Sequence, residues 1–498
     1  MNQPETQAVR LVSPALRTAR NQRLISQTPH TSPLDIRSPA RRDRDRVLYS
    51  AAWRRLGGVT QVITPFDDSA LPHTRLTHSE KVAQVARSIA ECLLNQQDNA
   101  DLIADLGGID VHVVEAAALA HDLGHPPFGH IGEQTLDEVA RDCLGLRDGF
   151  EGNAQTFRTV QLTETRHHAY DGLDLTSASL MAIAKYPWTR TIHDDDRHSQ
   201  LLRTDTDYRR HWRKFSVYET EWEAFTRARE FLDHVGFPCR TQSIEASIMD
   251  VADDITYAIH DLEDFYTADI LDIRRVITEL RRVAKNGYQC ELREQLSLDY
   301  PDFYDDALFA EAVSTTVEEL ESFRPRFPQS RLLTLGLAGA SASKLIGRYI
   351  EAVEVRDRQF WKGGPFVSLR RAEWHEVQLL KKITKDFVIK RPDMAVLQRG
   401  QQRVLKDLVV QLHDWAESDF GRLPRYLREE MEVARGEHRV SETREWRMLT
   451  RTRCTHGFVD RGDENRCILD YLCTLTDGQC YALHRKLSGA RPAASAIL

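Results

Sequence analysis

The chain has 498 residues, of which 41% are hydrophobic and 29% charged, and its 67 basic and 75 acidic side chains give a net charge of −8. Apolar residues recur along nearly the whole sequence and can build a large core, which excludes intrinsic disorder as the main state. The absence of any run of about 18 apolar residues excludes a transmembrane helix, and the mild acidity argues against constitutive, non-specific DNA binding over the whole surface.

The first forty residues differ in composition from the rest of the chain. They are rich in Ser, Thr, Pro, Gln and Arg and show no sustained apolar period. This pattern predicts a flexible basic arm over residues 1–40 followed by a helical region over 41–498, and the length by itself suggests roughly three domains of about 150 residues each. Because the N-terminus lacks the apolar stretch of a secretory signal and the eight cysteines are widely spread, we expect a cytoplasmic protein with reduced thiols.

Helical periodicity dominates from Arg41 onward. Apolar residues at three- and four-residue steps predict a helix over 76–94, and the capping-box pattern Thr77-His78-Ser79-Glu80 predicts that it begins at Thr77. Residues 111–123 form a nearly all-apolar helix, expected to be buried, that Gly124 and the prolines after it must end. Further helices are predicted at about 243–265, 269–287, 307–323, 340–355, 370–390, 393–416 and 468–486. With at most a short hairpin in 359–368, the predicted fold class is all-α.

The stretch 189–240 is the least helical part of the interior. It combines the acidic run Asp194-Asp195-Asp196 with many arginines and several aromatic residues. This composition favours a polar insertion between helices. The sequence leaves open whether the insertion is a lid or an oligomer contact.

The adjacent pair His121-Asp122 ends an otherwise apolar helix. Burying an imidazole and a carboxylate together is costly unless their charge is compensated, and a divalent cation accepts both types of ligand. The glycines and prolines that follow fold the chain back and bring His125 and His130 near the same pocket. For a lone His-Asp pair, a structural hydrogen bond is the competing interpretation.

Two further features favour a metal site. His78 lies at the start of a predicted helix, and Asp253, Tyr257 and Asp261 lie four residues apart on another helix. Each step of four residues drifts only about 40° around the axis, so these three polar side chains form one stripe on a core-like helix. Core helices rarely carry such a stripe without a purpose.

An ordered set of motifs resembles the deoxynucleoside triphosphate triphosphohydrolases, commonly called dGTPases, within the HD-domain phosphohydrolases. The bare His…His-Asp…Asp pattern is weak, but the motifs occur in the expected order from about residue 41 to 486. The matching segments are 44–56, 60–62, 74–79, 121–133, 151–158, 185–187, 252–257 and 470–477. The resemblance implies a single helical HD domain with peripheral helices.

The resemblance also implies a divalent metal ion, which is Mn²⁺, Mg²⁺ or a transition-metal ion other than Mn²⁺. The four implied ligands are His78, His121, Asp122 and Asp253. Two imidazole ligands suit Mn²⁺ better than Mg²⁺. The catalytic pair implied by the resemblance is His130 with its carboxylate partner Glu133, which would fix the tautomer of the ring for acid–base work.

The residues that the resemblance implies for substrate binding surround this site. Among them Arg75 would contact phosphates or sugar, and Tyr257 would pack against C2′, where a ribose hydroxyl would have no room. The complete implied set is Gln61, Arg75, His125, Lys185, Lys214, Tyr257 and Asp261.

The implied reaction is hydrolysis of a dNTP to the deoxynucleoside and inorganic triphosphate. The resemblance further implies a homo-oligomer, as a tetramer or hexamer, and leaves open activation by a second nucleotide or by single-stranded DNA. Two alternatives are kept: another HD-domain nucleotide phosphohydrolase, and a nucleic-acid-binding regulator with a non-catalytic HD core. The pocket segments 60–62 and 252–261 count against the first alternative, and four intact candidate ligands count against the second.

Overall fold

The computed structural model describes residues 12–25, 34–61, 74–167, 170–190, 214–323, 331–435 and 461–489. Within these ranges the chain is helical apart from one pair of short antiparallel strands, which confirms the predicted fold class. No helix in them combines the length and the apolar character needed to cross a membrane.

The helices before the long central helix α11 are α1 (Pro14–Arg20), α2 (Pro39–Leu48), α3 (Ala51–Arg55), α4 (Arg75–Asn95), α5 (Ala100–Asp105), α6 (Val111–Ala120), α7 (Gly129–Asp142), α8 (Gly152–Arg158), α9 (Ser177–Ile183) and α10 (Trp222–Asp233). The elements from there onward are α11 (Ile244–Thr267), α12 (Ile273–Lys285), α13 (Glu291–Asp299), α14 (Asp306–Ser322), α15 (Arg331–Glu351), β1 (Val353–Val355), β2 (Val367–Leu369), α16 (Arg371–Thr384), α17 (Pro392–Ser418), α18 (Arg425–Ala434), α19 (Arg461–Leu472) and α20 (Asp477–Leu487). The two strands pair with Val353 opposite Leu369.

Two hydrophobic clusters organise these elements. In the larger one, α11 packs against α4, α6, α15 and α16, and α6 packs against α2 and α4. In the smaller one, the apolar face of α7, with Leu136 and Val139, packs against α17 and α19, and α17 also packs against α20. The segment between α6 and α7 therefore joins two separately packed groups of helices.

The start of α4 differs from its predicted position. The helix begins at Arg75, and the Thr74 side chain caps it by accepting a hydrogen bond from the Thr77 backbone N–H. The Thr77 hydroxyl donates instead to the Thr74 carbonyl. The prediction of a start at Thr77 was wrong because a threonine can cap a helix without a complete capping box, and Thr74, three residues earlier, does so here.

Three further boundaries differ. The predicted helix over 468–486 is two helices, because Thr476 and Gln479 form a capping box that starts α20. The helix predicted over 340–355 is displaced, since α15 already begins at Arg331 and the chain is extended from Val353. The hairpin exists, but most of 359–368 is its loop, and the paired strands flank that loop.

Part of the N-terminal segment packs on the main cluster. Arg20, at the end of α1, is 4% exposed and donates to the Gly107 carbonyl at 2.7 Å and to the Glu245 carboxylate at 2.6 Å. Glu245 lies in the first turn of α11, so this contact ties the segment to the central helix. Residues 1–11 and 26–33, and 191–213 of the expected insertion, lie outside the described residues.

Candidate active site

Three helices bring two histidines and two aspartates to one point. His78 is in the first turn of α4, His121 and Asp122 directly follow α6, and Asp253 lies in α11. His78 Nε2 is 3.1 Å from Asp253 Oδ1, and His121 Nε2 is 3.7 Å from the same oxygen. The ligand atoms of His78, His121 and Asp122 lie within 4.8 Å of one another, so they can hold a metal ion.

The hydrogen bonding of His121 fits a metal ligand. Its Nδ1 is 2.7 Å from the Ala118 carbonyl, which can only accept, so Nδ1 carries the ring proton and Nε2 presents a lone pair. This Nε2 is buried, and no described residue donates a hydrogen bond to it. A buried acceptor without a partner is costly, whereas a divalent ion between imidazoles and carboxylates would satisfy it.

The charges around the cluster keep its ligands in the forms that bind metal. Burial opposes ionisation of Asp122, but Arg75, whose Nη1 lies 2.7 Å from Asp122 Oδ2, helps to hold the pKa of this carboxyl well below its usual range. Burial likewise opposes ionisation of Asp253, yet Lys185 and His78 hold its pKa well below the usual range. Burial lowers the pKa of His78 and favours the neutral imidazole.

A second pair of side chains lies on α7. His130 Nδ1 is 3.1 Å from Glu133 Oε2, and Glu133 Oε1 accepts a hydrogen bond from the Gly152 N–H at 2.9 Å. Burial opposes ionisation of Glu133, but His130, His125 and Lys214 hold its pKa well below the usual range. The ionised Glu133 is thus fixed at the start of α8 and orients the His130 ring, whose side chain is 54% exposed.

The backbone just before α7 sets where His130 lies. Phe128 and Gly129 adopt the left-handed conformation, with φ of 67° and 58°. This unusual pair turns the chain from the His121-Asp122 segment into α7 within a few residues. It brings the His130 ring to 5.9 Å from that of His125, whose Nδ1 is 3.0 Å from Asp122 Oδ1.

The candidate phosphate-binding cations occupy different environments. Arg75 is 2% exposed, and its Nε and Nη2 find no acceptor among the described residues. Lys185 lies between two carboxylates, with Nζ 2.6 Å from Asp250 and 2.9 Å from Asp253. Lys214 is exposed, and its Nζ is 6.0 Å from the centre of the Tyr186 ring. Asp250 was not predicted as a site residue, although its position three residues before Asp253 puts it on the same face of α11.

Two of the three remaining candidate substrate residues, Gln61 and Asp261, have a buried polar atom without a described partner. Tyr257 and Asp261 lie about 6 and 12 Å beyond Asp253 along the α11 axis. Asp261 is 4% exposed, its Oδ2 has no described partner, and burial next to Asp264 raises its pKa well above the usual range. Burial thus favours the protonated form of this carboxyl group, which can donate a hydrogen bond. Gln61 Oε1 is also buried without a described partner.

The α8 segment is held by a buried aspartate that sequence reasoning missed. Gln155 Nε2 and Arg158 Nη2 donate to Asp470 of α19 at 2.7 and 2.8 Å. The available signal was an acidic residue within the largely apolar segment Cys467–Cys473. Asp470 thereby anchors the helix whose first N–H holds Glu133.

Comparison with known proteins places this site in a family. The sequence model of the HD domain matches residues 75–258, a range that includes all four candidate ligands. A Streptomyces coelicolor "Deoxyguanosinetriphosphate triphosphohydrolase-like protein" is 31% identical over 466 residues, which cover 91% of this chain and 93% of the relative. The chain belongs to this family.

Other members agree with that assignment. A protein of the same name from Corynebacterium efficiens is 33% identical over 77% of this chain and 84% of its own length. One from Shewanella sediminis is 29% identical over 91% of this chain and 92% of its own length. Family membership, the HD domain and the buried His-Asp cluster together identify a metal-dependent phosphohydrolase, which confirms the resemblance seen in the sequence.

Proposed function

We propose that this protein hydrolyses a deoxynucleoside triphosphate to the deoxynucleoside and inorganic triphosphate. The observation that carries the proposal is the convergence of His78, His121, Asp122 and Asp253 beside the His130–Glu133 pair on α7. The name of these relatives, which refers to dGTP, supports the substrate class. Two imidazoles in the ligand set favour Mn²⁺, with Mg²⁺ as the alternative.

The four converging side chains are the proposed metal ligands. A divalent ion bound there would supply Lewis-acid charge at the α-phosphate and make water more acidic. Arg75 holds Asp122 in place and, because two of its nitrogens lack described partners, has donors to offer a phosphate oxygen.

His130 and Glu133 are the proposed acid–base pair. Glu133 accepts hydrogen bonds from both the His130 ring and the Gly152 N–H, so it holds the ring in one orientation. As the oxygen of a water molecule bonds to the α-phosphorus and the bond from phosphorus to the 5′-oxygen breaks, the half-exposed His130 ring is proposed to donate a proton to the leaving 5′-oxygen.

Substrate selection is assigned to the stripe on α11 and to the segment before α4. Tyr257 is the residue proposed to pack against C2′ and exclude a ribose hydroxyl, as the family resemblance implies. The buried Asp261 Oδ2 and Gln61 Oε1, which have no described partner, are the groups proposed to bond sugar hydroxyls. Lys185 and Lys214 are the proposed cations for the β- and γ-phosphates.

Product analysis tests this function directly. The purified protein with Mn²⁺ is incubated with each of the four dNTPs, and the products are separated by ion-exchange chromatography. We expect triphosphate and deoxynucleoside from at least one dNTP, and exclusive formation of pyrophosphate or orthophosphate would reject the proposal. The control is His130→Ala, which should retain bound metal but lose turnover. The same comparison with added nucleotides or single-stranded DNA checks the effectors that the resemblance leaves open.

A further inference from the structure

The turn between α19 and α20 contacts the site from the far end of the sequence. Asp477 is 7% exposed, and its two carboxylate oxygens accept hydrogen bonds from two distant backbone groups. Oδ1 accepts from the Phe128 N–H at 2.9 Å, and Oδ2 accepts from the Thr60 N–H at 3.1 Å. Phe128 precedes α7, which carries His130, and Thr60 precedes Gln61.

A buried arginine fixes the same turn to the metal-binding segment. Arg55 is 7% exposed; its Nη1 donates to the Leu475 carbonyl at 3.0 Å. Its Nη2 donates to the His125 carbonyl at 2.5 Å and to the Leu123 carbonyl at 3.2 Å. The residues between the metal-binding pair and α7 are thus held at three backbone atoms by Arg55 and Asp477.

The backbones joined in this way are in close contact. A methyl group on Gly58 would lie 2.6 Å from Thr476 Cγ2, and one on Gly129 would lie 3.0 Å from Arg75 Nη2. The Gly129 position is also 3.5 Å from the Thr60 and Gln61 carbonyl oxygens. A shift of the turn therefore moves the start of α7 relative to Arg75 and Gln61.

Hydrophobic packing alone does not set the distance between His130 and the candidate metal ligands. The four candidate ligands belong to helices and turns of the larger cluster, whereas α7 packs in the smaller one with α17, α19 and α20. The distance from His130 to the ligands therefore depends on what connects the two clusters. Asp477 is bonded to both sides, since it belongs to α20 of the smaller cluster and accepts from Thr60, which pairs with Thr74, the cap of α4 in the larger cluster.

We propose that Asp477, assisted by Arg55, is a positioning residue that sets the His130–Glu133 pair against the metal ligands and the Gln61 segment. This inference rests on the proposed function. Neither residue belongs to the proposed ligand or substrate-binding set; they act through the Phe128, Thr60, Leu123 and His125 backbone groups.

The test compares Asp477→Asn with Gln479→Ala in the full-length protein. The Asn amide can accept from only one of the two N–H groups and turns a donor toward the other. Gln479→Ala removes the capping box of the same helix without touching Phe128 or Thr60. We expect kcat to fall about 10- to 100-fold in Asp477→Asn, the range for misplacement by a fraction of an ångström to 1 Å, and to stay unchanged in Gln479→Ala.

Two further readouts separate positioning from loss of stability. Metal content by elemental analysis should match wild type in both variants, and hydrogen exchange of peptides containing Phe128 should accelerate only in Asp477→Asn. Equal kcat in the two variants would overturn the inference, whereas an inactive wild-type protein would instead reject the proposed function. If Asp477→Asn does not fold, Arg55→Lys, which keeps the charge but cannot span three carbonyls, must lower kcat in the same range, and an unchanged kcat overturns the inference.

Discussion

Gly152 is the position at which one added methyl group should uncouple the proposed acid–base pair. A Cβ there would lie 2.7 Å from Glu133 Oε1 and 3.2 Å from His125 Cε1, whereas ordinary contacts begin at 3.4 Å. The Glu133 carboxylate must therefore move by about 0.7 Å, because repulsion rises steeply below van der Waals contact. That movement weakens its hydrogen bond with the Gly152 N–H and releases the His130 ring from its fixed orientation.

For Gly152→Ala we expect kcat to fall about 10- to 100-fold, or about 1.4–2.7 kcal/mol in activation free energy. Stability should not fall through the backbone, since Gly152 begins a helix and Ala is the better helix former by up to about 1 kcal/mol. Steady-state kinetics, metal content and thermal unfolding are compared with Gly400→Ala, a glycine in α17 with open space around its Cβ position. Wild-type kcat within twofold in Gly152→Ala would refute the role given to the Glu133 contact.

Three other predictions test the ligands, the sugar pocket and the N-terminal packing. His121→Ala and Asp253→Ala should each lose bound metal and turnover together, with unchanged far-ultraviolet circular dichroism; a variant that keeps full activity would remove that residue from the ligand set. Tyr257→Ala should lower the dNTP-to-NTP ratio of kcat/KM by about tenfold or more, and an unchanged ratio would reject the gate role. Arg20→Met should lower the free energy of unfolding in urea by about 3–5 kcal/mol because it leaves Glu245 buried and unpaired. The Arg20→Met/Glu245→Met double variant should recover much of the lost free energy of unfolding.

Local patterns predicted the helices and the family, but not the contacts between distant parts of the chain. The spacing of Asp253, Tyr257 and Asp261 places them on one face of α11 because helix geometry is periodic. The engagement of Lys185 by Asp250 and the double hydrogen bond of Asp477 join residues far apart in sequence, so no periodicity reports them. The predictions of helix boundaries were wrong for another reason. Where two residues can cap the same helix, as at the start of α4, tertiary packing decides which one is used.

The same contacts bear on how an acidic chain binds a polyanion. Around the ligand cluster, Arg75 and Lys185 face the carboxylates Asp122, Asp250 and Asp253, so without a metal the two cations are outnumbered. A divalent ion would change the net charge of this group from negative to positive. It would also weaken the electrostatic attraction between the three aspartates and both cations. Metal and nucleotide should therefore bind cooperatively.

We expect Mn²⁺ to tighten binding of a non-hydrolysable dNTP analogue by about tenfold or more, a coupling of at least about 1.4 kcal/mol, and the analogue to tighten Mn²⁺ by the same factor. Isothermal titration calorimetry in each order measures both factors, and Gly400→Ala, remote from these charges, should reproduce them. Equal affinity of the analogue in EDTA and in Mn²⁺ would contradict this reasoning. Arg75 alone would then suffice for the phosphates, since it is the cation here with buried nitrogens that no described residue engages.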